Sequence, residues 1–209
     1  MIVKVCGVRT PQIAEAAIDA GADWLGLVFE PRSPRFVGDS EARAVQAAAG
    51  ARAELIGVFV SPSPGACEEA ADRYGLAAVQ VHGDVSAEFV TGCSVPVIRG
   101  VNVASQQEAY AIQWWPDLLV LLDAPTALLP GGTGARVPIE FAAQVARHRR
   151  IVLAGGLGPD NVAAAVRAAR PEGVDASSGL ESAPGVKEAP LVEAFVRNAR
   201  AAFAETAAA

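Results

Sequence analysis

Cys6 and Asp123 have the chemistry for proton transfer and stand where a backbone would expose them. Cys6 ends Ile2-Val3-Lys4-Val5-Cys6, which reads as a short β-strand stopped by Gly7. Alternation puts Lys4 and Cys6 on one face and Val3 and Val5 on the other. The valines can pack outward on helices, so a lysine and a thiol face whatever the strand encloses. Taken alone, such a thiol also fits a buried structural cysteine. Asp123 ends the apolar run Leu118-Leu119-Val120-Leu121-Leu122 and shares the parity of Leu119 and Leu121, which aims it inward. Its alternative is an aspartate that caps a loop. A weak acid and a weak base on opposite sides of a small substrate are the parts of a proton shuttle. His82 is a further polar group at a strand end, or a satisfied histidine there.

A second group suits anions. Arg35 lies in the loop Glu30-Pro31-Arg32-Ser33-Pro34-Arg35-Phe36, read as exposed. It could grip a carboxylate or phosphate bidentately, or be an ordinary surface arginine. Gly155-Gly156 and Ser177-Ser178-Gly179 follow the last two strands of the chain, and glycine lets backbone N–H groups approach an anion closely. The hydroxyl of Ser178 could add a donor. The bland alternative is a pair of tight turns. Gly131-Gly132-Thr133-Gly134 is no dinucleotide fingerprint, because it follows no first strand with the required glycine spacing.

Positioning these groups takes a repeated element. Strand-then-helix recurs about eight times, with strands expected at 2–6, 23–29, 54–60, 77–81, 95–99, 117–123, 150–153 and 173–176. Helices are expected between them, the first starting at Pro11 behind an N-cap Thr10 and closed by Gly21. Strands apolar on both faces imply parallel pairing under helices. Eight such units predict a single α/β domain over residues 1–209, a (β/α)₈ TIM barrel, with 205–209 a frayed tail. An open doubly wound sheet is the alternative. In a barrel all strand C-termini open on one rim, which gathers Cys6, Arg35, His82, Arg99, Asp123 and both glycine turns at one level.

Bulk properties exclude several classes. The 209 residues are 52% apolar, with mean hydropathy +0.30, net charge −6 and pI about 5.0. That excludes disorder and argues against a nucleic-acid binder, which would show a basic face. No window suits a membrane helix, and an N-terminus already in strand with Lys4 is no signal peptide. Three scattered cysteines (Cys6, Cys67, Cys93) suit reduced thiols in a cytoplasm. Two histidines with no clustered ligands make a metal site improbable. The expected state is a monomer, with a homodimer as the alternative.

The motifs in their order resemble the phosphoribosylanthranilate isomerase family of tryptophan biosynthesis. The resemblance rests on Lys4-Val5-Cys6-Gly7-Val8, Gly21-Ala22-Asp23 with Gly26-Leu27-Val28-Phe29, and Ser33-Pro34-Arg35. It continues through Gly57-Val58-Phe59-Val60, Val79-Gln80-Val81-His82-Gly83 and Asp123 with Gly131-Gly132-Thr133-Gly134. It ends on Leu153-Ala154-Gly155-Gly156-Leu157 and Asp175-Ala176-Ser177-Ser178-Gly179-Leu180-Glu181 before Pro184-Gly185-Val186-Lys187. The resemblance implies a cofactor-free (β/α)₈ barrel acting on a small phosphorylated substrate. Its reaction is the Amadori rearrangement of N-(5-phosphoribosyl)anthranilate to 1-(2-carboxyphenylamino)-1-deoxyribulose 5-phosphate. Carried over, Asp123 is the general acid, Cys6 the general base and Arg35 the holder of the anthranilate carboxylate. The turns at Gly155-Gly156 and Ser178-Gly179, with Gly132-Thr133, would hold the phosphate, and His82 would line the substrate site. The chain departs from the family pattern at Ala176 and Leu180, and at Val137-Pro138-Ile139-Glu140, where an aromatic-Asp-Trp cluster is usual. Other readings are a different phosphosugar isomerase or epimerase, or a barrel that binds a phosphometabolite without chemistry. Lys4, buried one layer below Cys6, needs a partner, expected to be Asp175 or Glu181.

Overall fold

Thr10 and Pro11 start the first helix as their chemistry requires: the Thr10 hydroxyl accepts from the Ile13 amide, and Gly21 closes the helix in the left-handed region. The same grammar of cap, apolar stripe and glycine stop recurs along the chain. The structure, a computed structural model, describes residues 1–103, 105–112, 118–123 and 138–208. Gly132 and Thr133 lie outside the described residues.

Eight parallel strands close into a barrel in chain order. They are β1 (Ile2–Cys6), β2 (Trp24–Val28), β3 (Glu54–Val60), β4 (Leu76–His82), β5 (Val97–Asn102), β6 (Leu119–Asp123), β7 (Ile151–Leu153) and β8 (Gly173–Ala176). The ring shuts where β8 pairs with β1, Lys4 opposite Asp175. Between the strands run α1 (Pro11–Ala20), α2 (Asp39–Ala49), α3 (Pro64–Tyr74), α4 (Ala87–Gly92), α5 (Gln106–Ile112), α6 (Ile139–Ala146) and α7 (Val162–Ala169). After β8 come a hairpin, β9 (Glu181–Ala183) and β10 (Val186–Lys187), and the long helix α8 (Ala189–Ala207).

Period two sorts each strand into two cores. Outward residues such as Val3, Val5, Leu25, Leu27, Val79, Val120 and Leu122 pack with the helices. Inward residues Ile56, Ala78, Ile98, Leu121, Val152 and Ala154, with Trp24 and Leu119 against them, plug the barrel interior. Cys6, Val28 and Val58 form a smaller cluster above that plug.

Several expected boundaries are corrected. β5 runs to Asn102 rather than stopping at Arg99, so Arg99 sits mid-strand with the outward parity of Val97 and Val101. Asn102 takes the rim position, in register with Asp123. α7 starts at Val162, not Pro159, because the Asn161 side chain accepts from the Gly158 amide and donates to the Gly156 carbonyl, holding that segment as a turn. The chain end is helix as far as Ala207, where a frayed tail was expected from residue 205. Alanine-rich sequence sustains helix, and Glu205 pairs with Arg167 of α7 at 2.8 Å. The β9–β10 hairpin was not anticipated, although Pro184-Gly185 between two short polar runs is a turn signal.

Candidate active site

The inward face of β1 carries two reactive groups in line. Lys4 is fully buried and Cys6 nearly so. Lys4 Nζ pairs with Asp175 Oδ2 across the closing seam at 3.1 Å. Of the two partners expected for Lys4, Asp175 is the one found. Gly26 of β2 makes the room: a Cβ there would lie 2.9 Å from Cys6 Sγ and 3.2 Å from Lys4 Nζ. Burial, opposed by the charges of Lys4 and Lys187, pushes the Cys6 thiol above its ordinary pKa, and Asp175 adds to the rise. The expected help from Lys4 is present but outweighed, so the resting group is the thiol. Lys4 itself stays protonated: burial works against its charge, but Asp175 and Cys6 more than compensate and raise its pKa.

Glu181, the other expected partner of Lys4, lies beyond the end of β8 on the hairpin and serves Arg35 instead. Arg35 Nε and Nη2 donate to its two carboxylate oxygens at 2.7 and 2.8 Å. Lys187 Nζ donates to Glu181 Oε1 at 3.1 Å and to the Ser177 carbonyl at 3.2 Å. Arg35, expected in an exposed loop, is 6% exposed. Its partner lies 146 residues away, which local sequence could not reveal. Lys187 was not expected at the site. The available signal was that Lys4 and Lys187 are the only lysines in the chain, and both side chains are buried.

The two glycine turns meet. Gly155 and Gly156 both have positive φ, 81° and 65°, and Asn161 braces their loop from α7. The β8 loop presses on it so closely that a Cβ at Gly179 would lie 2.2 Å from the Leu157 carbonyl oxygen. Among the described residues the amides of Gly155, Gly156, Ser178 and Gly179 are not used in loop or turn hydrogen bonds between backbone groups. They are therefore available to an anion at the mouth. Ser177 Oγ donates to the Cys6 carbonyl at 3.2 Å and joins this turn to β1.

Asp123 ends β6 on the inward face, with Leu121 of the interior plug two residues below it. β7 and β8 separate it from β1 around the ring. His82 ends β4 half-buried, and its Nε2 lies 2.7 Å from Gln80 Nε2. In this orientation the amide donates, so Nδ1 carries the ring proton. Burial, then the charges of Lys4 and Arg99, lower His82 from 6.5 to about 4, and the imidazole is neutral. Gln80, itself buried, was missed by the sequence reading. Arg99 is not part of the site: its guanidinium caps the carbonyls of Val81, Gly83 and Gly100. Among the described residues no group of three His, Cys, Asp or Glu could hold a metal ion.

Strand C-termini that gather a thiol, a carboxylate and two glycine turns on one rim place this chain in the class of (β/α)₈ barrels with a catalytic upper face. A family model described as N-(5'phosphoribosyl)anthranilate (PRA) isomerase matches residues 3–198. A relative from Pelobacter propionicus named N-(5'-phosphoribosyl)anthranilate isomerase is 39% identical over 98% of each chain. One of the same name from Myxococcus xanthus is 41% identical over 95% of each. The crystal structure of phosphoribosyl anthranilate isomerase from Thermotoga maritima is similar with TM-score 0.88 and 31% identity, over 96% of this chain and 100% of that one. A crystal structure of a phosphoribosyl anthranilate isomerase in complex with reduced 1-(o-carboxyphenylamino)-1-deoxyribulose 5-phosphate is similar with TM-score 0.82 and 30% identity, over 96% of this chain and 100% of that one. The chain belongs to the phosphoribosylanthranilate isomerase family and is an isomerase of tryptophan biosynthesis.

Proposed function

We propose that Asp123 and Cys6 perform the family's Amadori rearrangement as general acid and general base. The observation that carries this reading is their common placement: both end strands on the inward face, above one apolar floor. Asp123 protonates the ribose ring oxygen of N-(5-phosphoribosyl)anthranilate as the ring opens to the Schiff base. The Cys6 thiolate takes the proton from C2, giving an enolamine that tautomerises to the aminoketone. Because burial raises the thiol pKa, the thiolate fraction of Cys6 grows as pH rises.

Arg35 holds the anthranilate carboxylate. The amides of Gly155, Gly156, Ser178 and Gly179 hold the phosphate, supported by the positive φ of Gly155 and Gly156 and by the contact between the two loops. The other expected residues of that cradle, Gly132 and Thr133, lie outside the described residues and are proposed on the family resemblance alone. His82 lines the wall as a neutral ring.

The test is steady-state turnover of the wild type, Cys6→Ala and Asp123→Ala, with melting as the folding control. Each variant is expected to melt as the wild type does and to lose nearly all turnover. Wild-type kcat in either would remove that residue's role.

The chain works as a cytoplasmic monomer. Its cysteines are all free, and among the described residues the large exposed apolar side chains Met1, Tyr110 and Val186 sit in separate parts of the chain. Among the described residues no helix is long and apolar enough to cross a membrane. One similar structure is described as generated monomers of a dimeric isomerase from Thermotoga maritima, so a homodimer is the alternative. Sedimentation at enzyme concentrations near the assay range decides between them.

A further inference from the structure

The Arg35–Glu181–Lys187 cluster is more elaborate than an ion pair needs to be. The side chains of Arg35, Glu181 and Lys187 are 7%, 4% and 2% exposed. Both oxygens of Glu181 are fully engaged: Oε1 accepts from Arg35 Nε and Lys187 Nζ, and Oε2 from Arg35 Nη2 and, at 3.2 Å, from the Gly185 amide. Those four donors come from three residues, two of which, Gly185 and Lys187, lie in its own hairpin. Arg35 Nη1 has no hydrogen-bond partner among the described residues. The stem of Arg35 lies flat over the backbone that follows Cys6, its Cδ only 2.8 Å from where a Gly7 Cβ would stand. Two cations and one carboxylate leave one uncompensated positive charge in a nearly closed place, a costly arrangement that an incoming anion relieves.

We propose that Glu181 is the positioning residue for Arg35: the β9–β10 hairpin aims the guanidinium through this carboxylate and leaves Nη1 to meet the carboxylate of an N-aryl phosphosugar. The inference rests on the reading of Arg35 as the carboxylate holder. A guanidinium gripped along its Nε–Nη2 edge cannot swing about its stem, so Nη1 keeps a fixed offset from Cys6. Glu181 therefore acts on substrate binding rather than on proton transfer. Because its own lone pairs are occupied, it presents little free negative charge to the anion.

The experiment is a double-mutant cycle on steady-state kinetics with Glu181→Gln, Glu181→Asp, Arg35→Ala and Arg35→Ala/Glu181→Gln. Glu181→Gln is expected to raise KM about tenfold, the scale of one charge-assisted hydrogen bond, with kcat within about threefold. Glu181→Asp, which keeps the charge, is expected to fall between it and the wild type. In the Arg35→Ala background Glu181→Gln is expected to change KM by less than about twofold, as coupled neighbours do. If Arg35→Ala itself leaves KM unchanged, the carboxylate reading of Arg35 fails and the inference falls with it. If Arg35→Ala raises KM while Glu181→Gln does not, or if Glu181→Gln acts equally in both backgrounds, the positioning role alone is overturned. Should Glu181→Gln not fold, Glu181→Asp decides: a raised KM with kcat held supports the role, and an unchanged KM overturns it.

Discussion

Along β3 to β7 the lower barrel interior is filled by Ile56, Ala78, Ile98, Leu121, Val152 and Ala154, while across the seam of β8 and β1 it holds Lys4 and Asp175. Both sectors are buried, yet they do different work. The apolar sector stabilises, at roughly 1.5–3 kcal/mol for each fully buried large side chain. The charged sector adds little net stability, because desolvation of both ions offsets their attraction. What it supplies is a cation next to a thiol. The barrel thus keeps its polar chemistry in one seam and its cohesion in the rest, and substitutions should separate the two.

The largest separation is expected at Cys6. Cys6→Ala should lower kcat by roughly 10²–10⁴ while the melting temperature barely moves, and a loss of both together would merge the sectors. In the wild type the raised thiol pKa should make the thiolate absorbance that Cys6→Ala lacks climb through pH 9 without a plateau, and a plateau reached below pH 8 would contradict it. Lys4→Met comes next. It leaves Asp175 buried and uncompensated and should cost about 3–5 kcal/mol in urea unfolding. Adding Asp175→Asn should recover part of that loss. Since Lys4 lowers the Cys6 pKa, any folded Lys4→Met protein should shift the Cys6 thiol titration to more alkaline pH.

His82 gives a smaller, pH-dependent effect. Its folded pKa is lowered to about 4, so below pH 6.5 the unfolded chain takes up a proton that the folded one refuses. The stability is fully present above pH 6.5 and lost as pH falls toward 4. At pH 5 the loss should be about 2 kcal/mol, and His82→Gln should abolish it. Smallest of all, Ile56→Val in the apolar sector should cost about 1 kcal/mol and leave kcat within about twofold. A large kcat effect there would show that the floor shapes the chemistry.

Legibility in the sequence followed the range of the interactions. β3, α3 and β8 have the expected limits because apolar alternation, Ser63-Pro64 and glycine stops act within a few residues. β5 was cut short because Arg99-Gly100 looks like a strand end. Gly100 is in fact mid-strand, where a Cβ would come within 2.4 Å of the His82 ring. The inward aim of Cys6 and Asp123 was readable from parity, and ring closure narrowed the partner of Lys4 to Asp175 or Glu181. The burial of Arg35 was not, because the group that buries its charge comes from a hairpin outside the repeat.

Ring closure also dates the site during synthesis. Ser177, which braces the backbone of Cys6, follows it by 171 residues, and Arg200 of α8 reaches back to the carbonyls of Met1 and Gly21. A nascent chain leaving the ribosome therefore carries β1 with one edge unsatisfied until the final strand and helix emerge. Until then its Lys4 has no counter-ion from β8, and translation halted before β8 would yield a protein without an assembled thiol site.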